Sequence, residues 1–310
     1  MKISHLPKEV QGLLDLLVMK QEDLYDYILV KYGRYNMGFY RNNYIVLKSS
    51  DDIKPMLCVH LDTINDASDK HPKYSDFVYN TKRKTIELSR HSKLSCVGGD
   101  DRCGVYIIEK YFDELIKKYH IGFFCEEEIG GIGSGNASKL LNGDPSISCF
   151  IGLDRKGADE VATYGYDNED LIEAFTSLGY KESFGTFTDA SNLASEGILA
   201  CVNLSVGYKN EHTKAESIDV SVIDKIAKTL IQVDLLEDYY KSNSRYNYSK
   251  YAKYSSSVWE GYDDGFTEFS YTETQSKEDL GNCICCGTSE HPRQIISGDV
   301  LCKVCLEDYF

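Results

Sequence analysis

The chain has 310 residues, enough to bury a sizeable core in one large domain or in two unequal ones. Its hydrophobic fraction of 42% and charged fraction of 27% are ordinary for a globular protein. The formal net charge is −15 and no long basic run offsets it, so the attraction to phosphate that supports nucleic-acid binding is missing. The sequence has no apolar run long enough to span a membrane, and its opening MKISHLPKEV lacks the apolar segment of a signal peptide. We therefore expect a cytoplasmic protein that binds neither nucleic acid nor membrane.

The first part of the chain changes from a helical to a strand-like pattern. Apolar residues between positions 7 and 31 recur at spacings of three and four, which predicts two short amphipathic helices. Beyond Gly33 the apolar runs at 44–47 and 56–60 are short and rich in strand formers, so they predict strands. A hairpin is expected at about 77–88, within an otherwise polar stretch.

From Gly98 onward, short apolar strands alternate with helices. The predicted helices are 105–117, 137–141, 168–178 and 220–236, and the predicted strands are 121–125, 147–153 and 198–206. Continuous apolar strands separated by helices are typical of a sheet that is covered on both faces. The sequence thus predicts one α/β domain over residues 1–238, with a mostly parallel mixed sheet flanked by helices.

The composition changes after residue 238. Residues 239–279 are rich in tyrosine and serine without a persistent period, which indicates a linker. Residues 280–310 contain two C-x2-C pairs separated by 15 residues, namely Cys283, Cys286, Cys302 and Cys305. Two such turns can present four thiolates tetrahedrally, which predicts one structural zinc in a small ribbon-like module. A redox pair or free thiols are the alternatives, and a protein partner for this module is left open.

Two motifs in the first 100 residues could carry chemistry. His60 and Asp62 close a predicted strand, and residues two apart on a strand share a face, so both side chains can point into one site. A neutral imidazole is a good zinc ligand, and a nearby carboxylate can orient it. Asp100 follows two glycines where a loop enters a helix. A carboxylate there can bridge two cations, although it could also serve only as a helix N-cap.

Three further motifs follow predicted strands. Glu127 and Glu128 belong to a run of three carboxylates after strand 121–125, and their mutual repulsion requires a cation or protons unless the loop is simply solvated. Asp154 follows strand 147–153, where the alternative is a salt-bridged turn. His212 follows strand 198–206, where the alternative is an exposed loop histidine.

These positions are expected to meet at one edge of the sheet, because the carboxyl ends of parallel strands lie together and form the usual ligand site. Imidazole and carboxylate ligands favour Zn²⁺, with Mn²⁺ or Co²⁺ as alternatives. Two cations that share a carboxylate can activate water and stabilise a developing oxyanion. The residues therefore predict a two-metal hydrolase.

The order of motifs (H-x-D, G-x-D-D, E-E-x-G, D, H) resembles the di-zinc exopeptidase superfamily, which includes peptidase T, glutamate carboxypeptidases and bacterial leucyl aminopeptidases. The resemblance covers roughly residues 40–236. It implies two catalytic zinc ions, one bound by His60 and Asp154, the other by Glu128 and His212, with Asp100 bridging them. It further implies that Glu127 is the general base, that Asp62 orients His60, that a cis peptide follows Asp100, and that Thr188-Asp189-Ala190 lies near the substrate.

The short gaps between the motifs restrict the resemblance to members of the superfamily that lack a lid domain. Only 57 residues separate Asp154 from His212, and 37 separate Asp62 from Asp100, too few for the lid domain that many members insert. The lidless form resembles the aminopeptidases more closely, so we expect a peptide substrate with a free N-terminus. An amidase or deacylase of N-acylated small molecules, and an inactive module that binds a partner through the zinc ribbon, are the competing hypotheses. The oligomeric state is left open.

Overall fold

The central element of the protein is a mixed sheet. The computed structural model describes residues 6–41, 43–67, 70–195, 197–235 and 239–242, and two strands at 293–296 and 299–302. The strands of the larger part are β1 (Asn36–Arg41), β2 (Tyr44–Leu47), β3 (Lys54–His60), β4 (Phe77–Asn80), β5 (Thr85–Leu88), β6 (His120–Phe124), β7 (Ile147–Arg155), β8 (Glu160–Thr163), β9 (Lys181–Phe184), β10 (Cys201–Ser205), β11 (Tyr208–Lys209) and β12 (Ser217–Asp219). Eight of these form one sheet in the order β1-β2-β6-β3-β7-β10-β8-β9.

The four middle strands of this sheet, β6, β3, β7 and β10, run parallel to one another. Strand β2 is antiparallel to β6, and β8 is antiparallel to β10, so the sheet is mixed toward both sides. Every residue of β6 and β10 is buried. A strand that is buried on both faces is apolar throughout, which is why the sequence reads as continuous apolar runs.

Helices cover both faces of the sheet. They are α1 (Lys8–Leu17), α2 (Gln21–Tyr32), α3 (Gly99–Lys110), α4 (Phe112–Lys118), α5 (Ile132–Asn142), α6 (Glu169–Thr176), α7 (Asp189–Ser195) and α8 (Val220–Gln232). Successive residues of β3 alternate between two cores: Leu57 and Val59 pack with residues of α1, α3 and α8, whereas Met56 and Cys58 pack with residues of α5 and α7. The predicted α/β class, with a mostly parallel mixed sheet between helices, is confirmed.

A second, four-stranded sheet lies beside the N-terminal end of α3, in the order β11-β12-β5-β4. It contains the hairpin predicted at 77–88, formed by the antiparallel pair β4 and β5. Gly99 shows how tightly α3 meets this sheet: a Cβ atom there would lie 2.7 Å from Ile218 Cγ1 and 2.8 Å from Tyr208 Cβ. Only glycine therefore allows the turn that precedes Asp100 to approach so closely.

The segment predicted as helical at 105–117 is helical except at one residue. The segment forms α3 and α4, which are separated at Tyr111, where the backbone leaves the helical region with φ −118° and ψ 26°. The sequence also gave no indication of β8 and β9. Strand β9 is mostly exposed and polar, and it therefore lacks the apolar periodicity by which a strand is recognised.

The C-terminal part is described only at two antiparallel strands, β13 (Arg293–Ile296) and β14 (Asp299–Cys302). Cys302 ends β14, while Cys283, Cys286 and Cys305 lie outside the described residues, as does most of the predicted linker. The structural zinc therefore remains a prediction. Among the residues that the structure describes, no helix is long and apolar enough to cross a membrane.

Candidate functional site

The residues singled out in the sequence meet at the carboxyl edge of the central sheet. His60 is the last residue of β3, the loop after its neighbour β6 carries Glu127 and Glu128, and Asp154 is the penultimate residue of β7. Asp100 comes from the first turn of α3, and His212 from the loop between β11 and β12. The three strands are parallel neighbours, so their ends lie side by side.

His60 is buried and has a different partner on each ring nitrogen. Nδ1 lies 3.1 Å from the backbone carbonyl oxygen of Asp62 and 3.3 Å from its Oδ1. Nε2 lies 3.0 Å from Asp100 Oδ1 and 3.5 Å from Asp154 Oδ1. Because Asp62 orients the ring through Nδ1, the Nε2 atom is directed at the two aspartates.

His212 forms a second group on the open side of the site, where 47% of its side chain is exposed. Its Nε2 atom lies 2.9 Å from Glu128 Oε2 and 3.2 Å from Asp100 Oδ2. Asp100 is thus shared: Oδ1 faces His60 and Oδ2 faces His212. The site consists of two trios of potential ligands that have one carboxylate in common.

Asp154 is held from several sides. The Thr188 hydroxyl donates to Oδ2 at 3.1 Å, and the Tyr208 hydroxyl donates to Oδ1 at 3.1 Å. The amide group of Asn203 pairs with the backbone of Asp154, accepting from its N–H at 2.8 Å and donating to its carbonyl oxygen at 3.0 Å. These contacts fix the carboxylate before any ligand arrives, which is the arrangement that metal ligands need.

Asp62 also organises the loop after β6. Its carboxylate accepts hydrogen bonds from the backbone N–H groups of Glu127, at 3.0 Å, and Glu128, at 3.1 Å. Hydrogen bonds to the charged form counteract burial and, together with His60, lower the pKa of Asp62. One carboxylate thereby orients His60 and positions the two glutamates.

The electrostatics of the site favour bound positive charge. Burial, together with the charges of Asp154 and Asp189, raises the pKa of Glu127 to about 9, although His60 opposes this. Burial and the charge of Asp100 raise the pKa of Asp154 to about 7. Hydrogen bonds to Asp100 and Glu128 raise the pKa of His212 to about 10. Burial alone would lower the pKa of His60, but the surrounding carboxylates hold it well above its usual value.

The donor set fits divalent cations. Within the described residues, two groups bring three potential ligand atoms within 4.8 Å of one another: His60, Asp100 and Glu128, and His60, Asp101 and Asp154. In the group of His60, Asp101 and Asp154, the Asp101 carboxylate already accepts backbone hydrogen bonds, from His60 at 3.3 Å and from Gly104 at 2.9 Å. Without a cation, protons have to supply the missing positive charge, and metal binding would release them.

Three buried residues near the site were not identified as functional from the sequence. Arg102 donates from its guanidinium group to the backbone carbonyls of Leu61, Leu16 and Met19, which fixes the chain beside Asp62. Glu216 accepts from the backbone before Asp100. Asp189, which the resemblance placed near the substrate without a role, is buried. Burial raises its pKa to about 7. Of the three, only Glu216 could have been linked to the site from the sequence, because it lies four residues after His212.

The peptide bond between Asp100 and Asp101 is cis, as the family resemblance implied. Neither a family model nor a curated protein sequence matches the chain. Among solved structures, it is similar to a tripeptidase from Staphylococcus aureus, with a TM-score of 0.54, 13% identity, and coverage of 73% of this chain and 96% of that chain. It is also similar to aminopeptidase PepT from Bacillus cereus, with a TM-score of 0.53, 14% identity, and coverage of 73% and 96%.

A third similar structure is the TET1 peptidase of Pyrococcus horikoshii, with a TM-score of 0.53, 11% identity, and coverage of 74% of this chain and all of that chain. The chain has the fold of these peptidases. At 11–14% identity, the likeness to these three structures concerns the arrangement of strands and helices. About a quarter of the present chain lies outside the part that matches these structures.

Proposed function

We propose that this chain is a two-metal peptidase that removes the N-terminal residue of peptides, as an aminopeptidase or dipeptidase. The observation that carries the proposal is the shared carboxylate of Asp100, whose two oxygens face different histidines at 3.0 Å and 3.2 Å. A carboxylate placed in this way can bridge two cations. A helix N-cap, the simpler interpretation of Asp100, would instead accept a hydrogen bond from the backbone of its own helix. The Asp100 carboxylate faces His60 and His212, and it is the neighbouring Asp101 that accepts from the backbone of the helix, at Gly104.

The residues would hold two Zn²⁺ ions, with Mn²⁺ or Co²⁺ as alternatives. His60 and Asp154 would hold one ion, Glu128 and His212 would hold the other, and Asp100 would contribute to both. Bound in pairs, such cations supply Lewis acidity that lowers the pKa of water and polarises a carbonyl group. The half-exposed side chain of His212 indicates that the substrate enters from this side, since His60 is buried.

Glu127 is the general base in this proposal. Its backbone is fixed by Asp62, and it adjoins the proposed ligand Glu128 without belonging to either trio of potential ligands. The Glu127 carboxylate takes a proton from the attacking water and delivers it to the nitrogen of the leaving amine, as peptide hydrolysis requires. Burial strengthens its coupling to the charges around it, and so its protonation depends strongly on whether cations are bound.

Exposed apolar side chains next to the site favour a substrate with an apolar side chain. Ile129 directly follows Glu128 and is 63% exposed, and Ile132 begins α5 nearby with 42% exposed. Phe187, 44% exposed, precedes Thr188 and touches the same loop, since a Cβ atom on Gly131 would lie 2.7 Å from its ring. These side chains belong to the same two segments as Glu127 and Thr188, and Thr188 donates a hydrogen bond to Asp154. They therefore border the proposed reaction centre.

The similar structures support this proposal through their own activities. They include a tripeptidase and aminopeptidases, and the Pyrococcus horikoshii TET1 peptidase can assemble into a tetrahedron or an octahedral shell. We also propose that the present chain forms an oligomer. The predicted Cys283, Cys286, Cys302 and Cys305 site would add one structural zinc outside the catalytic pair.

A substrate panel tests the proposal. Aminoacyl anilides, dipeptides and N-acyl amino acids would be incubated with the chain after reconstitution with Zn²⁺, Mn²⁺ or Co²⁺. We expect turnover of the substrates that have a free amine, with leucine or phenylalanine derivatives preferred over glutamate derivatives. Hydrolysis of the N-acylated substrates alone would establish an amidase or deacylase. Absence of turnover with all of them, in a chain loaded with two metals, would favour a binding module.

A further inference from the structure

Glu216 is a buried carboxylate that binds the turn leading into α3. Its Oε2 atom accepts from the backbone N–H of Gly98 at 2.8 Å. Its Oε1 atom accepts from Gly99 at 2.8 Å and from Asp100 at 3.3 Å. Only 1% of the residue is exposed. A single side chain therefore satisfies three consecutive backbone donors, the last of which belongs to the shared carboxylate residue of the site.

These donors have no partner within α3. Asp100 and Asp101 are non-helical in φ and ψ, and the first N–H groups of any helix lack an intrahelical acceptor. A buried donor without an acceptor is costly, and a carboxylate at the positive end of a helix is favourable. The turn consequently depends on Glu216 for its conformation, and the direction of the Asp100 side chain depends on the turn.

Glu216 also belongs to the loop that carries His212. The loop runs from β11 to β12, and its backbone is compact: Glu216 N–H donates to the Thr213 carbonyl at 3.1 Å, and the Thr213 hydroxyl donates to the Asn210 carbonyl at 2.7 Å. At its far end the loop continues directly into β12, which pairs with β5. Glu216 thus joins a loop anchored in the second sheet to the turn before Asp100.

The turn before Asp100 packs closely against the loop that carries Glu216. A Cβ atom on Gly99 would lie 3.0 Å from Glu216 Oε1, in addition to its close approach to Ile218 and Tyr208. The turn is therefore in direct contact with the carboxylate and with the strands on either side of the loop. The distance of 3.2 Å between His212 Nε2 and Asp100 Oδ2 is set by these same two segments.

We propose that Glu216 is a positioning residue for the second metal position, since it holds Asp100 and His212 in register with each other. The inference rests on the proposed function in one respect, namely that Asp100 and His212 are metal ligands. Glu216 acts through the backbone and does not itself bind metal. Groups that orient metal ligands typically change metal affinity by 10–100-fold when they are replaced.

Cobalt binding to the purified full chain tests this role, because the visible spectrum of Co²⁺ reports on ligand geometry independently of activity. Glu216→Gln keeps the shape but turns an N–H₂ group toward backbone donors, and Glu216→Asp keeps the charge but shortens the reach. The matched control is Glu109→Gln at the far end of α3. Glu109 accepts from Tyr27 and Tyr32 at 2.7 Å each, so its loss weakens packing without touching the turn.

We expect the wild-type chain to bind two Co²⁺ ions at the site, and Glu216→Gln to bind the weaker one at least tenfold less tightly with an altered spectrum. Glu109→Gln should lower the unfolding temperature and keep the wild-type affinity and spectrum. A folded Glu216→Gln chain with unchanged affinity and spectrum would overturn the inference and leave the proposed function standing. If circular dichroism shows that the glutamine variant is unfolded, Glu216→Asp decides by the same criterion. A wild-type chain that binds no Co²⁺ here would overturn the proposed function and this inference together.

Discussion

Replacing Glu127 with glutamine removes the proposed general base with almost no change in shape. The backbone N–H of residue 127 keeps its 3.0 Å hydrogen bond to Asp62, and neither trio of potential ligands includes this side chain. Metal binding should therefore be retained. General acid–base catalysis contributes roughly 10²–10⁴-fold to a rate, which corresponds to about 3–5 kcal/mol of the activation barrier. We expect kcat to fall by that factor with little change in KM.

The assay is the hydrolysis of a leucyl anilide by metal-loaded protein, with the metal content of each sample measured in parallel. Glu126→Gln is the matched control, because it changes the same group in the same loop, where the backbone N–H of Glu126 is bound by Gln21. It should retain activity within a fewfold of wild type. A Glu127→Gln chain with two metals and full activity would refute the assignment of the base and the mechanism built on it.

Three further predictions concern metal content and stability. Elemental analysis should find about three Zn²⁺ per chain after reconstitution, and about two when Cys302 and Cys305 are replaced by serine. Two Zn²⁺ ions in the wild-type chain would mean that one of the proposed sites is wrong. Burial, helped by the charge of Lys48, lowers the pKa of His120 to about 4. Below pH 6.5, roughly the ordinary pKa of histidine, the imidazole therefore stays neutral in the folded state and takes up a proton in the unfolded state. The free energy of unfolding should therefore fall by about 2–3 kcal/mol on account of His120 as the pH falls from about 6.5 to about 4. In urea unfolding, His120→Gln should lose correspondingly less stability than wild type over that range. Parallel plots of unfolding free energy against pH for the two chains would contradict this. Gly104→Ala should destabilise the chain by roughly 1–3 kcal/mol or more, because the new Cβ would lie 2.2 Å from the Leu153 carbonyl oxygen. Gly135→Ala is the control: the nearest atom to its new Cβ is 3.6 Å away, so it should be neutral or stabilising. Equal effects of the two substitutions on stability would show that α3 does not pack this closely.

Much of the fold could be predicted from local patterns. The central strands are buried on both faces, so each reads as an apolar run, and the amphipathic helices show their periods clearly. The weak points were elements without such patterns. Edge strand β9 is polar, and Tyr111, where the helix is interrupted, donates a hydrogen bond to Asp224, which lies 113 residues further along the chain. Neither leaves a trace in a short window of sequence.

The candidate site divides in the same way. His60, Glu127 and Asp154 follow strands that the sequence identifies, and parallel strands bring their carboxyl ends together, so their convergence could be predicted from order alone. The roles assigned to these residues stay predictions until metal binding and catalysis are measured. Asp100 and His212 belong to loops, whose paths local patterns do not determine.

The sequence by itself determined that His60, Glu127 and Asp154 reach the sheet edge, because buried strands appear as apolar runs and the helices between them make the strands parallel. Only the tertiary structure decided how they face one another. The two oxygens of Asp100 point to different histidines, Asp62 binds both an imidazole and the backbone of two glutamates, and Glu216 lies 116 residues from Asp100 in the chain yet binds its backbone. Such contacts join segments that are distant in sequence, and their geometry is set by the packing of the whole domain.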